Sequence, residues 1–186
     1  MIFFEKLGYH VFSKKTFLCV GLDPVIDKMP QHLPRTHQGL LEFLLNIVEQ
    51  TKDYAAAYKP NFAYFEALGI SGLDVLCELI KEITPEVVVI GDAKRGDVGH
   101  SAQMYAKAVF ESLGCDAITV SPYLGQDALK PFFEYTDRGI FILCLTSNQG
   151  AHDFQLPDLY LNVAKKACQW NVSGNIGLVV GATFPE

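Results

Sequence analysis

No apolar run in the chain approaches the roughly 18 to 20 residues that a membrane span requires, and the opening "MIFFEKLGYH" lacks the basic-then-apolar layout of a signal peptide. A membrane protein is thereby excluded as a reading, and the expected location is the cytoplasm. There is no basic excess either: 15 Lys and Arg stand against 21 Asp and Glu, for a net charge of -6. Without a positive stripe to collect a polyanion, nucleic acid is not an expected partner. The five cysteines, Cys19, Cys77, Cys115, Cys144 and Cys168, include no C-x-x-C pair. The histidines His10, His32, His37, His100 and His152 are equally dispersed. Both absences remove the usual zinc-site spacings, and the expectation is no metal. Cys19, Cys115 and Cys144 fall in apolar, strand-like runs and are expected to behave as small buried hydrophobes. Finally, no G-x-G-x-x-G follows the first such run and no G-x-x-x-x-G-K-[ST] occurs, which removes the common nucleotide-binding signals of open α/β sheets.

What is present is a hydrophobic chain, 49% apolar and 12% aromatic over 186 residues, sufficient for the core of one domain spanning residues 1–186. Two periods alternate along it. "TFLCVGLDP" reads as a buried strand from Thr16 to Asp23, stopped by Pro24, and Leu40, Leu44, Ile47 and Val48 then share a helical face. "AAAYKPN" is a short strand ending at Lys59 and Pro60; Leu73, Leu76, Ile80 and Ile83 mark a second helix closed by Pro85, and "EVVVIGD" a third strand. Val98, Ala102, Tyr105 or Ala106, Val109 and Leu113 predict a helix ended by Gly114. "CDAITVSP", a helical piece from Asp127 to Tyr135, "GIFILCLTSN", a helix from Asp158 to Trp170 and "NIGLVVGATFP" complete the pattern. Strands apolar on both faces, each followed by an amphipathic helix, indicate a parallel sheet wrapped by helices. The expected fold is an α/β barrel of the (β/α)8 type, incomplete, with six of its eight units. Such barrels run to about 250 residues as a rule, and the seventh and eighth units are not in the sequence.

The polar residues gather at the carboxyl ends of these strands: Asp23, Lys59, Asp92, Lys94, Ser121 and Ser147. That is the end where parallel barrels build active sites. The densest group is "GDAKRGD". Alternation along a strand sends Asp92 and Lys94 to the same side, into the barrel mouth, while Asp97 lies in the loop beyond. A carboxylate beside an ammonium favours the charged form of both, so Lys94 is read as a proton donor rather than a Schiff-base amine. A second carboxylate, Asp97, adds negative charge. The arrangement suits a reaction that expels an anion and protonates the carbon left behind. A structural ion pair at a strand end is the alternative for these three residues alone.

"LCVGLDP", "YKPNFAYFEALG", "GDAKRGDVGHSAQMYA", "SPYLGQD", "GIFILCLTSN" and "VVGATFP", in that order, resemble the orotidine 5'-phosphate decarboxylase family, in the subgroup that carries D-A-K-R-G-D. The resemblance runs from about Phe4 to Pro185. It implies decarboxylation of orotidine 5'-phosphate to UMP, the last step of UMP synthesis, without metal or organic cofactor. It further implies Lys94 as the proton donor to C6 of the pyrimidine, and Asp92 as the group that orients the ammonium and crowds the substrate carboxylate. Asp97 would be lent across a homodimer interface. Asp23 and Lys59 match positions that hold the ribose hydroxyls, Ser147 the pyrimidine edge, and Ser101 a position near the ribose and phosphate. The family grips the phosphate in loops after the seventh and eighth strands, so the resemblance reads this chain as a carboxyl-terminally shortened member, expected to have little activity alone. Alternatives are a sugar-phosphate barrel sharing D-x-K-x-x-D, such as a 3-keto-gulonate-phosphate decarboxylase or hexulose-phosphate synthase, and a non-catalytic remnant.

Overall fold

The computed structural model describes residues 2–83 and 87–184; the expected helix stop at Pro85 and the strand end at Pro185 lie outside them. Six parallel strands, β1 (Cys19–Leu22), β2 (Ala57–Pro60), β3 (Val88–Arg95), β4 (Ala117–Val120), β5 (Gly139–Leu145) and β6 (Ile176–Val180), pair strictly in chain order. Sequential parallel pairing with helical crossovers is the topology of a barrel wall. Among the described residues β1 and β6 are each paired on one side only, so the wall is an open arc, as the six-unit pattern predicts.

The helices are α1 (Phe3–Lys14), α2 (His37–Thr51), α3 (Phe62–Glu66), α4 (Gly69–Ile83), α5 (Gly99–Lys107), α6 (Gln126–Phe133), α7 (Ala151–Phe154) and α8 (Leu159–Trp170). Capping explains two of the starts: the Thr36 hydroxyl accepts from Gly39 N at 3.2 Å and the Asn61 carbonyl oxygen from Ala63 N at 3.3 Å. A π-helical turn, Ala108–Ser112, extends α5, and Gly114 follows with φ 77, a conformation that glycine adopts without strain. No helix of the described residues is long and apolar enough to cross a membrane.

Alternation divides the strands into two layers. Leu22, Tyr58, Val89, Ile118, Val120, Ile140 and Ile142 face outward into the main core with α2 and α4, while Ala57, Val88, Ile90 and Ala117 face inward around Phe3. Phe3 is 2% exposed and meets Phe141 edge-on at 5.7 Å. Gly139 makes room for it, since a Cβ there would come within 2.5 Å of the Phe3 ring. Helix α1 thus plugs the amino-terminal end of the arc. It is stapled by Lys6 Nζ, which donates to Asp116 Oδ1 and Oδ2 at 2.8 and 2.9 Å, and by Lys14 Nζ, which donates to the carbonyls of Lys52 and Ala55 at 2.6 and 3.0 Å.

Several expectations require correction. The first strand begins at Cys19 rather than Thr16, because Thr16 N donates to Val11 O at the end of α1, and Phe17 is left 90% exposed. Leu73 lies 45% exposed; α4 buries Gly72, Val75, Leu76, Leu79, Ile80 and Ile83 instead, a stripe turned by less than one residue from the expected face. Val98 is exposed at the start of α5, and the choice between Tyr105 and Ala106 falls to Ala106, which is fully buried. Cys115 and Cys144 are buried as expected, but Cys19 is exposed. It alternates with Val20 and Leu22, which pack outward, and so sits on the inner face of a strand that, among the described residues, has a neighbour on one side only.

Candidate active site

Asp92 is the centre of the site, 7% exposed on the inner face of β3. Its Oδ1 accepts from Lys94 Nζ at 2.7 Å and from the Thr119 hydroxyl at 2.7 Å; its Oδ2 accepts from Lys59 Nζ at 3.0 Å. Burial pushes this carboxyl up, but the bonds from Lys94, Thr119 and Lys59 outweigh it and hold Asp92 below the usual carboxylate range. The site therefore carries one buried negative charge beneath two ammonium groups, with the Lys94 side chain half exposed at the open end.

The local backbone explains why Lys94 reaches inward. Between Gly91 and Arg95 the strand takes four steps while β4 takes two, from Ile118 to Val120, so β3 bulges. Lys94 sits in this bulge with φ 48, in the left-handed region that costs an L-residue roughly 1 kcal/mol or more. Its N–H is satisfied by the Thr119 hydroxyl at 3.0 Å. The next residue is anchored outside the mouth: Arg95 pairs with Glu66 of α3 and lies over the Tyr105 ring of α5, 5.1 Å from its centre.

Of the residues singled out by sequence, the structure joins Asp92, Lys94 and Lys59. Among the described residues, no hydrogen bond or ion pair connects Asp23, Asp97, Ser101 or Ser147 to that cluster. Asp97 lies in the loop after β3, as expected, and its Oδ1 accepts from Val98 N at 2.8 Å. Asp23 is exposed just past β1, beside a cavity of about 480 Å³ shared with Gly21, Pro24, Lys28 and Tyr64. Ser101 is exposed in the first turn of α5. Ser147 follows β5 and lies against Gly181, where a Cβ would approach the Ser147 nitrogen to 2.9 Å. Sequence reasoning missed Thr119. The signal was there, since Ala117, Thr119 and Ser121 alternate onto one side of the fourth strand, but only the last stood at the strand end. Among the described residues no three His, Cys, Asp or Glu side chains group closely enough to hold a metal ion.

Comparison with known proteins places this geometry. Residues 16–186 match the model of the orotidine 5'-phosphate decarboxylase / HUMPS family. An orotidine 5'-phosphate decarboxylase of Dehalococcoides mccartyi is 50% identical over 195 residues, covering all of this chain and 70% of that protein. The solved OMP decarboxylase of Leishmania donovani superposes with a TM-score of 0.89 at 45% identity, again over all of this chain and 72% of its own. The Toxoplasma gondii orotidine-monophosphate-decarboxylase structure gives 0.90 at 36% identity, over 98% of this chain and 71% of its own. A chain matched along nearly its whole length by the family model, and half identical to such a relative, belongs to the orotidine 5'-phosphate decarboxylase / HUMPS family.

Proposed function

We propose that this chain carries the decarboxylation of orotidine 5'-phosphate to UMP in pyrimidine biosynthesis, with Lys94 as the proton donor. The observation that supports it is the Asp92 cluster: a buried carboxylate that accepts hydrogen bonds from two lysines at the carboxyl end of the sheet. In the proposed step the bond between C6 of the pyrimidine and its carboxylate breaks and CO2 leaves. The electron pair left on C6 takes a proton from the Lys94 ammonium, and solvent reprotonates the amine. Asp92 directs the Lys94 ammonium through their 2.7 Å hydrogen bond. Its own negative charge disfavours the substrate carboxylate more than the neutral CO2 that replaces it, so the pairing favours progress over the bound ground state.

In this reading Asp23 and Lys59 hold the ribose hydroxyls, Ser147 the pyrimidine edge, and Ser101 the region of the ribose and phosphate. Asp97, whose hydrogen bond is local, acts across a homodimer in the neighbouring protomer's site. The chain works in the cytoplasm, on a small molecule, without metal or organic cofactor and without a membrane or nucleic-acid partner. The metal-dependent sugar-phosphate alternative is disfavoured by Lys59, whose ammonium sits 3.0 Å from Asp92 Oδ2, where it repels a cation.

The test follows orotidine 5'-phosphate absorbance with the purified chain, with and without EDTA, beside Lys94→Ala. Turnover that is low in the chain alone, ignores EDTA and vanishes in the variant is the expected result. Turnover that requires a divalent ion, or that survives Lys94→Ala, overturns the assignment.

A further inference from the structure

We infer that Thr119 is a positioning residue of this site, its hydroxyl filling the gap left by the β3 bulge and locking Asp92 and Lys94 into one arrangement. This rests on the reading of Lys94 as the proton donor.

The bulge creates the need. Lys94 falls outside the paired positions of β3 and β4, and its N–H turns to Thr119 Oγ1 at 3.0 Å. The single hydrogen of that hydroxyl goes to Asp92 Oδ1 at 2.7 Å, the oxygen that also receives Lys94 Nζ at 2.7 Å. The result is a closed circuit in which one hydroxyl ties the backbone of Lys94 to the carboxylate that binds its side chain. The circuit offsets the unfavourable φ of 48 at Lys94, because any relaxation toward ordinary strand geometry breaks one of its bonds.

The residue type is demanding. Thr119 is 4% exposed, so water is not at hand to replace either bond. Valine or isoleucine, equally suited to the strand, would leave the Lys94 N–H without its acceptor and Asp92 without one of its donors. The β-branch restricts χ1, so the hydroxyl is held toward the bulge rather than sampling other rotamers. Because the hydroxyl donates to Asp92, it favours the ionised carboxylate.

The experiment uses the whole 186-residue chain with NMR readouts that do not depend on turnover. In the unsubstituted chain the Thr119 hydroxyl proton should be observable and slow to exchange. In Thr119→Val, a near-isosteric change, the Lys94 amide should exchange faster and the Asp92 carboxyl carbon should titrate at higher pH, while Thr119→Ser restores both. Where orotidine 5'-phosphate is turned over, Thr119→Val should lower kcat on the order of ten-fold or more with KM little changed, the mark of lost alignment rather than lost binding. A Thr119 hydroxyl proton exchanging at the solvent rate, or a folded Thr119→Val with unchanged Lys94 amide and Asp92 titration, overturns the inference. Turnover too low to measure in the unsubstituted chain leaves the role of Thr119 to be decided by the NMR arms alone.

Discussion

The two ends of the sheet each hold a buried aspartate paired with lysine, and they use the pair differently. At the amino-terminal end Asp116 takes Lys6 Nζ on both oxygens, while its Oδ2 also accepts Val89 N at 2.9 Å and its backbone carbonyl accepts Gly139 N. Its lysine comes from a helix 110 residues away in sequence and is largely covered. At the carboxyl end Asp92 receives two ammonium groups and a hydroxyl but, among the described residues, no backbone N–H on its carboxylate, and Lys94 stands half exposed. The same residue types form a staple where a backbone N–H shares the carboxylate and the cation, carried by a docked helix, is largely covered. They form the proposed reaction centre where the cations converge from strand ends on an open face.

The sharpest way to break this comparison is to remove one member of the lysine–aspartate pair at each end. Lys94→Ala should cost about 10²- to 10⁴-fold in turnover, the range of a lost general acid, with the thermal melt little changed. Steady-state kinetics and calorimetry on the same preparation check both halves. Asp116→Ala should do the reverse: Lys6 loses two of its hydrogen bonds and the Val89 N–H its side-chain acceptor, and stability should fall by about 3 kcal/mol, the lower part of the range for a broken buried pair, because Lys6 retains some access to water. Urea denaturation measures it. Phe3→Ala tests the plug without touching a charge. It should cost about 3 kcal/mol, since Phe3 is almost fully buried and its ring fills the space that Gly139 leaves open.

The smallest effect is one of pH. His10 on α1 is buried, and its Nδ1 has no hydrogen-bond partner among the described residues. Burial, with Lys14 and Lys6 nearby, lowers its pKa, and Asp116 opposes the shift only in part. A histidine held neutral in the fold contributes stability that is full above its unfolded value of about 6.5 and is lost as pH falls through the lower folded value. Asp92 is also depressed, from the carboxylate range, so its contribution is full above about 4 and disappears only in stronger acid. Acidification from pH 7 to 5 should therefore weaken the plugged end before the end that holds Asp92. Melting temperatures across that interval, compared with His10→Gln, should show a fall in the parent chain and a flatter profile in the variant.

Much of the fold was legible, for a local reason. Apolar runs with helical segments between them identify the elements, and the turn-forming Pro24 and Gly114 mark where two of them stop. Asp92 and Lys94 share a side because strand alternation is local as well. Helix α1 was overlooked although Phe3, Leu7 and His10 lie at helical spacing, since its role depends on a cavity that exists only once the strands are assembled. Leu73 shows the limit of periodicity: shifting the stripe by a fraction of a turn changes which leucine is buried, and the facing strand and helices decide that.

The sequence by itself determined the alternation of strand and helix, the parallel six-unit arc and the placing of charge at the carboxyl ends of the strands. These follow from backbone periods that neighbouring residues express without reference to the rest of the chain. Only the tertiary structure decided that Lys59 meets Asp92 across 33 residues, that Thr119 reaches it across 27, and that Lys6 closes on Asp116 across 110. Those meetings depend on strand register, on the β3 bulge and on how α1 docks, which are set by packing between segments distant in the chain.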